Sequence, residues 1–243
     1  MHEAMLPTIP TIPIQAPPPR IAAVFCSHDR VCPGWSYDFA HLVAHFVATG
    51  GFVPETGESY SLALNWCQTS LLPEGRHRLV EDMYAKGVAK VLWIDTDMRF
   101  PKEGLQMLLR HQQPIVGANY VSRRPPFRFT AATVDERVME TKPGQLGLEE
   151  AGHIGFGFVL TDMSVFGNPN IPAQEPMFKF DWQWNEERQR WTIIGEDVSF
   201  CREARARGHK VFVDHQLSSA IGHIGEFEYN AEVMQAVEAA PVT

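Results

Sequence analysis

Two aspartates separated by a single residue, Asp95 and Asp97, follow directly on the apolar run Val91-Leu92-Trp93-Ile94. That run is rich in β-favouring side chains, which predicts a central strand covered on both faces. On an extended backbone, residues two apart face the same way, so the two carboxylates are expected side by side at the strand's end. Like charges held together repel, and a hard divalent cation with oxygen ligands is the usual compensator. The segment therefore predicts a metal–diphosphate site. A competing use is helix capping, since Pro101 lies just beyond, but a cap needs only one aspartate.

Other chemistry-bearing residues fall into small groups. Glu196 and Asp197 follow Gly195 at the head of a helical stretch, where the helix macrodipole favours negative charge whatever else they do. His223 lies in Gly222-His223-Ile224-Gly225, within a polar and irregular tail. A neutral imidazole there suits manganese-like ions, with His153 and His215 as rivals. Arg76, Arg123 and Arg124 offer planar forks for phosphate oxygens. Gly155 and Gly157 either let backbone approach a ligand closely or serve as bulge glycines in a strand. Trp35, Trp182 and Trp184 either stack on a flat ring or pack in the core or at its rim.

The elements that position these residues alternate along residues 21–120. Ile21 to Cys26 reads as the first buried strand. Phe39, Leu42, Val43, Phe46 and Val47 recur at helical spacing over Ser36–Ala48, ended by Gly50-Gly51. A strand over Ser59–Cys67 follows, then a helix after Pro73 with Leu79, Val80, Met83 and Tyr84 on one face. Beyond the aspartates, Pro101 is expected to open a helix through Arg110, and Ile115–Ala118 to form another strand. Such alternation predicts a mostly parallel sheet with helices on both faces. In these sheets ligands bind beyond the carboxyl ends of the strands, where Asp95 and Asp97 lie. The second half is expected to add antiparallel strands at Phe127–Thr133 and Gln145–Glu150, strands at Gly155–Leu160 and Met177–Trp184, a helix over Glu196–Arg207 and a last strand at Lys210–Asp214.

Composition narrows the class. With 243 residues, 44% hydrophobic and 21% charged, the chain reads as one soluble globular domain. Its net charge of −8 argues against a broad nucleic-acid surface, leaving only local strips such as Arg123, Arg124 and Arg128. Cys26, Cys32, Cys67 and Cys201 show no paired spacing and are read as reduced thiols of a cytosolic protein. No run approaches the roughly 20 apolar residues of a membrane span. Pro7, Pro10, Pro13, Pro17, Pro18 and Pro19 predict an extended arm over residues 1–19, either disordered or packed on a neighbouring subunit. The domain proper is then 20–243.

Taken together, these motifs resemble those of nucleotide-sugar-dependent glycosyltransferases of the GT-A fold, similar to glycosyltransferase family 2 and to small phage and bacterial relatives. Asp95-Thr96-Asp97 matches the Asp-x-Asp motif, Glu196-Asp197 the Glu-Asp motif, and His223 the C-terminal histidine of the metal shell. The resemblance implies a single Rossmann-like α/β domain with a mixed, mostly parallel sheet. It implies a Mn2+ or Mg2+ ion held by Asp97, Asp95 and His223, with Asp95 reaching the ribose or a metal-bound water. Cys26, Ser27, Arg76, Arg124, Gly155 and Gly157 would border a nucleoside-diphosphate sugar. Asp197 would act as base in an inverting displacement, with Glu196 orienting the acceptor. Arg76-His77 replaces an Arg-Asn pair. The Gln-x-x-Arg-Trp motif of processive members is missing, because Arg190-Trp191 precedes the Glu-Asp motif and Glu187 stands in the glutamine's place. Transfer of one hexose or pentose, rather than polymerisation, is what the resemblance implies. The hydroxyl acceptor stays open among polysaccharide, protein, metabolite and modified DNA. Two rivals remain: a nucleotidyltransferase, disfavoured by the lack of a glycine-rich loop after Cys26-Ser27-His28-Asp29-Arg30, and a non-catalytic nucleotide-sugar-binding module.

Overall fold

The structure, a computed structural model, describes residues 17–28, 30–123, 126–170, 175–225 and 228–229. Most of the expected proline arm, residues 1–16, and with it any contact to a neighbouring subunit, lies outside them. Pro17, Pro18 and Pro19 are exposed and belong to no regular element.

Eight strands make one sheet: β1 (Arg20–Ser27), β2 (Ser61–Gln68), β3 (Lys90–Ile94), β4 (Ile115–Gly117), β5 (Ala132–Thr133), β6 (Leu148–His153), β7 (Phe158–Asp162) and β8 (Val211–Asp214). Their spatial order is β2-β1-β3-β7-β4-β8-β6-β5. β1 runs parallel to β2 and β3, and β8 runs parallel to β4. β7 lies antiparallel between β3 and β4, and β6 is antiparallel to both β8 and β5. Six strands thus share one direction and only β7 and β6 oppose it, the mixed, mostly parallel sheet that was expected.

Alternation along β1 shows how both faces are covered. Ala22 and Val24 join one core cluster with Leu79, Val80 and Met83 of α2 (Leu72–Ala85) and Phe200 and Ala204 of α4 (Glu196–Ala206). Ile21 and Ala23 join the other, with Leu42 and Phe46 of α1 (Pro33–Ala48) and Leu105 and Leu108 of α3 (Gly104–Leu109). Successive side chains point to opposite faces of a strand, so one four-residue apolar run serves both layers. A last short helix, α5 (His215–Ser218), is capped by Asp214, whose carboxylate accepts from the Leu217 N–H at 3.0 Å. Among the described residues no helix is long and apolar enough to cross a membrane.

Several boundaries differ from expectation for identifiable reasons. α1 starts at Pro33 rather than Ser36, because proline at the first helical position sacrifices no intrahelical bond. The helix expected from Pro101 begins only at Gly104, after a turn closed by the Gly104 N–H to the Pro101 carbonyl at 3.0 Å. Phe127–Thr133 is largely not a strand. The side chain of buried Asn119 takes the Ala131 N–H at 3.0 Å and donates to the Met139 carbonyl at 2.7 Å, so the backbone pairing on either side is broken into isolated bridges. The strand expected from Gly155 starts at Phe158. The one expected over Met177–Trp184 is a hairpin of Asp181–Asn185 with Arg190–Ile194, while Met177 and Phe178 enter the core.

Phe158, fully buried in the reversed strand, packs on Phe100 and against Gly104. Phe158→Ala should cost about 3–5 kcal/mol in a urea titration, since neighbours held by strand pairing on both sides cannot close the cavity.

Candidate active site

The site is assembled at the end of the sheet where β1 and β3 terminate. Arg76 sits on the inward face of α2, 3% exposed, on the stripe it shares with Leu79, Val80 and Met83. Its Nη2 donates to Asp95 Oδ1 at 2.9 Å and its Nη1 to Glu196 Oε1 at 2.7 Å. The guanidinium also lies 5.1 Å from the Phe156 ring centroid and 5.6 Å from that of Phe178. A buried cation with one counter-charge on each side of its fork and aromatic faces against it is strongly held. Arg76 was expected at a donor's diphosphate. Both of its forks are instead taken by the two acidic motifs, which it joins.

The strand carrying the aspartates stops at Ile94, and the chain turns at once: the Met98 N–H reaches the Asp95 carbonyl at 3.3 Å. Past Ile94 the backbone is a turn rather than the extended run from which side-by-side carboxylates were expected. Asp95 faces Arg76, whereas Asp97 Oδ2 receives Arg123 Nη1 at 2.6 Å and has His223 Nε2 at 3.6 Å. The turn is held from three sides. The Asp95 N–H donates to the Gly157 carbonyl at 2.9 Å, and the Ile224 N–H donates to the Asp97 carbonyl at 2.7 Å. Just beyond, Asp38 of α1 accepts from Arg99 Nε at 2.6 Å and from the Phe100 N–H at 3.1 Å.

His223 reaches the turn because the short strand Gly222–Ile224 pairs antiparallel with Met98–Arg99. Its Nδ1 lies 2.9 Å from the Val121 carbonyl, which only accepts, so Nδ1 carries the proton. Nε2 is therefore the ring nitrogen that faces Asp97, the one a ligating histidine held in this way would present. His153 and His215 are elsewhere: His215 is buried between Thr141 and Glu149.

Arg123 and His223, the two partners of Asp97, line a cleft of about 510 Å³ together with Tyr120, Ser122 and Thr130. Thr130 Oγ1 is buried without a hydrogen-bond partner. Tyr120 accepts the Gly157 N–H at 3.0 Å and presents its ring edge-on to His223 at 5.1 Å. A Cβ on Gly155 would come within 2.5 Å of Tyr120 Oη, and one on Gly157 within 2.7 Å of its ring. The room those glycines leave is filled by Tyr120.

Titration behaviour follows from burial. Desolvation, opposed by Arg76 and helped by Asp97, pushes the Asp95 carboxyl up to about 6. Burial also works against charge on Asp97, but His223 and Arg123 together hold its carboxyl below the ordinary value. Asp197 was expected to be lowered by the helix N-terminus; burial, with Glu196 beside it, raises it instead, although the Val198 N–H donates to its Oδ1 at 2.7 Å. At the end of β1 the Cys26 thiol is pushed up to about 12 by burial, and Ser27 Oγ closes a turn onto the Arg30 carbonyl at 3.0 Å. Arg124 lies outside the described residues.

Among the described residues, no group of three or more histidine, cysteine, aspartate or glutamate side chains gathers to hold a metal. Of the expected trio, Asp97 and His223 Nε2 lie 3.6 Å apart and fit two positions of a divalent-cation shell, while Asp95 has one oxygen, Oδ1, bonded to Arg76. Tyr120, Thr130, Phe156 and Phe178 were not expected at the site. The burial of Arg76 had a signal in the sequence: an arginine in register with Leu79, Val80 and Met83 requires a buried counter-charge.

No known family model matches the chain, and neither does any curated protein. Among solved structures, A197 from STIV superposes with a TM-score of 0.50 at 14% identity, over 85% of this chain and 86% of that one. GalNAc-T7, solved with UDP, GalNAc and Mn2+, gives 0.46 at 9% identity, over 87% of this chain but 44% of its own. This chain thus spans less than half the length of GalNAc-T7. The likeness to A197 is one of fold. The sheet order, its directions and the helical layers are consistent with the GT-A-like α/β fold that the resemblance implies.

Two outcomes are expected. Arg76→Met should lower stability by about 3–5 kcal/mol in chemical denaturation, since Asp95 and Glu196 would lose their shared counter-charge. Asp95, at 3.8 when unperturbed and about 6 when folded, binds a proton in the folded state that the unfolded chain has released. Its contribution to stability is therefore complete below 3.8 and is lost as the pH rises through about 6. Urea titrations across that window should show the decline, and Asp95→Asn should flatten it.

Proposed function

We propose that residues 20–243 form a single glycosyltransferase domain that moves one sugar from a nucleoside-diphosphate donor to a hydroxyl acceptor, with inversion. The observation that carries this reading is the joining of the two acidic motifs through Arg76, at 2.9 and 2.7 Å, beside the Asp97–His223 pair at 3.6 Å. Residues about a hundred positions apart thereby meet at one end of the sheet, as the resemblance implies they should.

In this reading Asp97 and His223 hold a Mn2+ or Mg2+ ion, which supplies Lewis-acid stabilisation of the charge that grows on the departing diphosphate. Arg123, half-exposed at the cleft, leaves Asp97 and turns its fork to phosphate oxygens. Cys26 and Ser27 border the nucleoside at the end of β1, and Asp95, fixed by Arg76, faces the ribose. Asp197 takes the acceptor hydroxyl's proton as that oxygen bonds to the anomeric carbon. A carboxyl raised by burial is a better proton acceptor than one at its ordinary value, which favours this role. Glu196 acts indirectly, by keeping Arg76 and the head of α4 in register.

The test is a melting-temperature panel of nucleoside-diphosphate sugars with and without manganese, because a ligand that binds only the folded state raises the transition. At least one donor should stabilise the protein in a manganese-dependent way, and Asp97→Ala should lose that shift. Calorimetry showing undiminished donor affinity in Asp97→Ala would remove the proposal. Asp197→Asn should retain the shift while donor hydrolysis falls about 10²–10⁴-fold.

A further inference from the structure

The hairpin of Asp181–Asn185 and Arg190–Ile194 runs directly into Gly195, Glu196 and Asp197. Its register pairs Trp182 with Ile193 and Trp184 with Trp191, so these four side chains share one face. All four are exposed, from 38% at Trp184 to 61% at Trp191. The two inner indoles meet edge-to-face at 5.8 Å. On the other face Gln183 Oε1 accepts from Arg202 Nη2 of α4 at 3.2 Å, and within the hairpin Thr192 Oγ1 donates to the Gln183 carbonyl at 3.1 Å. Half of the chain's six tryptophans are thus exposed on one face of a ribbon that leads directly into the helix beginning with Glu196-Asp197.

A contiguous apolar surface of this kind marks a binding site, and its chemistry narrows the occupant. Indole faces stack on the C–H face of a sugar ring while their N–H groups remain available for hydroxyls. Over 181–194 the charges are Asp181, Glu186 and Glu187 against Arg188 and Arg190, a small negative excess in a chain of net charge −8. A polyanion or an anionic lipid surface finds no basic strip here. Length adds a constraint. At about 3.3 Å per residue, the face extends from roughly 7 Å to 13 Å away from Gly195, further than one sugar ring.

We infer that this face is the acceptor subsite and that the acceptor is an uncharged glycan of several residues, laid along the hairpin with its reacting hydroxyl at Asp197. The acceptor role rests on the transferase reading above; the binding itself does not depend on it.

Native affinity electrophoresis through gels containing dextran, glycogen, hydroxyethylcellulose or galactomannan tests the binding. At least one should retard the full-length protein. Trp182→Ala with Trp191→Ala should raise the polysaccharide concentration needed by about tenfold or more, with an unchanged circular-dichroism spectrum. The corresponding Phe pair, which keeps flat rings, should recover part of the retention. Absence of retardation by all four polymers, or equal retardation of the Ala pair, would overturn the inference. So would loss, in the Ala pair, of binding to single-stranded DNA or phosphatidylcholine vesicles, or of a dimer in size-exclusion chromatography, in place of glycan binding. Donor-dependent melting of the unsubstituted protein separates the two readings. Donor binding without retention refutes the glycan assignment alone; retention without donor binding refutes the transferase reading alone.

Discussion

The guanidinium of Arg76 is the interaction on which the site's arrangement depends. It is buried, and a buried cation is stable only when counter-charges and hydrogen bonds replace its water. Asp95 and Glu196 supply both, one at the end of β3 and one at the head of α4, with Phe156 and Phe178 against the faces of the fork. Three distant stretches of chain are thereby brought to one point. The acidic groups divide accordingly. Arg76, Asp95 and Glu196 form a clamp, and Asp97 remains with Arg123 and His223, which line the cleft.

The turn from Asp95 to Met98 is shaped by what surrounds it rather than by its own residues. β7 runs against β3 and continues the pairing to Asp95 through the Gly157 carbonyl. Gly157 turns its N–H to Tyr120 Oη, and Tyr120 occupies the space that side chains at positions 155 and 157 would need. On the far side, Gly222–Ile224 adds as a short strand and carries His223 with it. The imidazole's orientation is then set by the Val121 carbonyl, so a backbone group chosen by the fold decides which ring nitrogen faces Asp97.

Tryptophan illustrates how one residue type is used in opposite ways. Trp93 is buried and satisfies its indole N–H on Thr161 Oγ1 at 2.9 Å, and Trp35 stacks on Phe39 within the core. Trp182, Trp184 and Trp191 instead lie exposed on a two-stranded ribbon too small to bury one face on its own. Local sequence differs accordingly: Trp93 stands in a continuous apolar strand and Trp35 on the inward side of a helix, whereas Trp182 and Trp184 alternate with polar residues.

Much of the architecture could be read from residues alone. Apolar runs located β1, β3 and β4, helical spacing located α1 and α2, and the glycine-opened acidic pair located α4, because burial on both faces or on one stripe leaves a pattern in the chain itself. The motif residues Asp97, Glu196, Asp197 and His223 were likewise marked by type and setting. Tertiary structure alone decided that β3 ends at Ile94, that β7 enters the sheet reversed, and that backbone around Ala131 is satisfied by Asn119. It alone decided that Arg76 joins Asp95 to Glu196. Each of these is a pairing between groups far apart in sequence, settled by which buried donor finds which acceptor, and a pattern of neighbours along the chain does not contain that information.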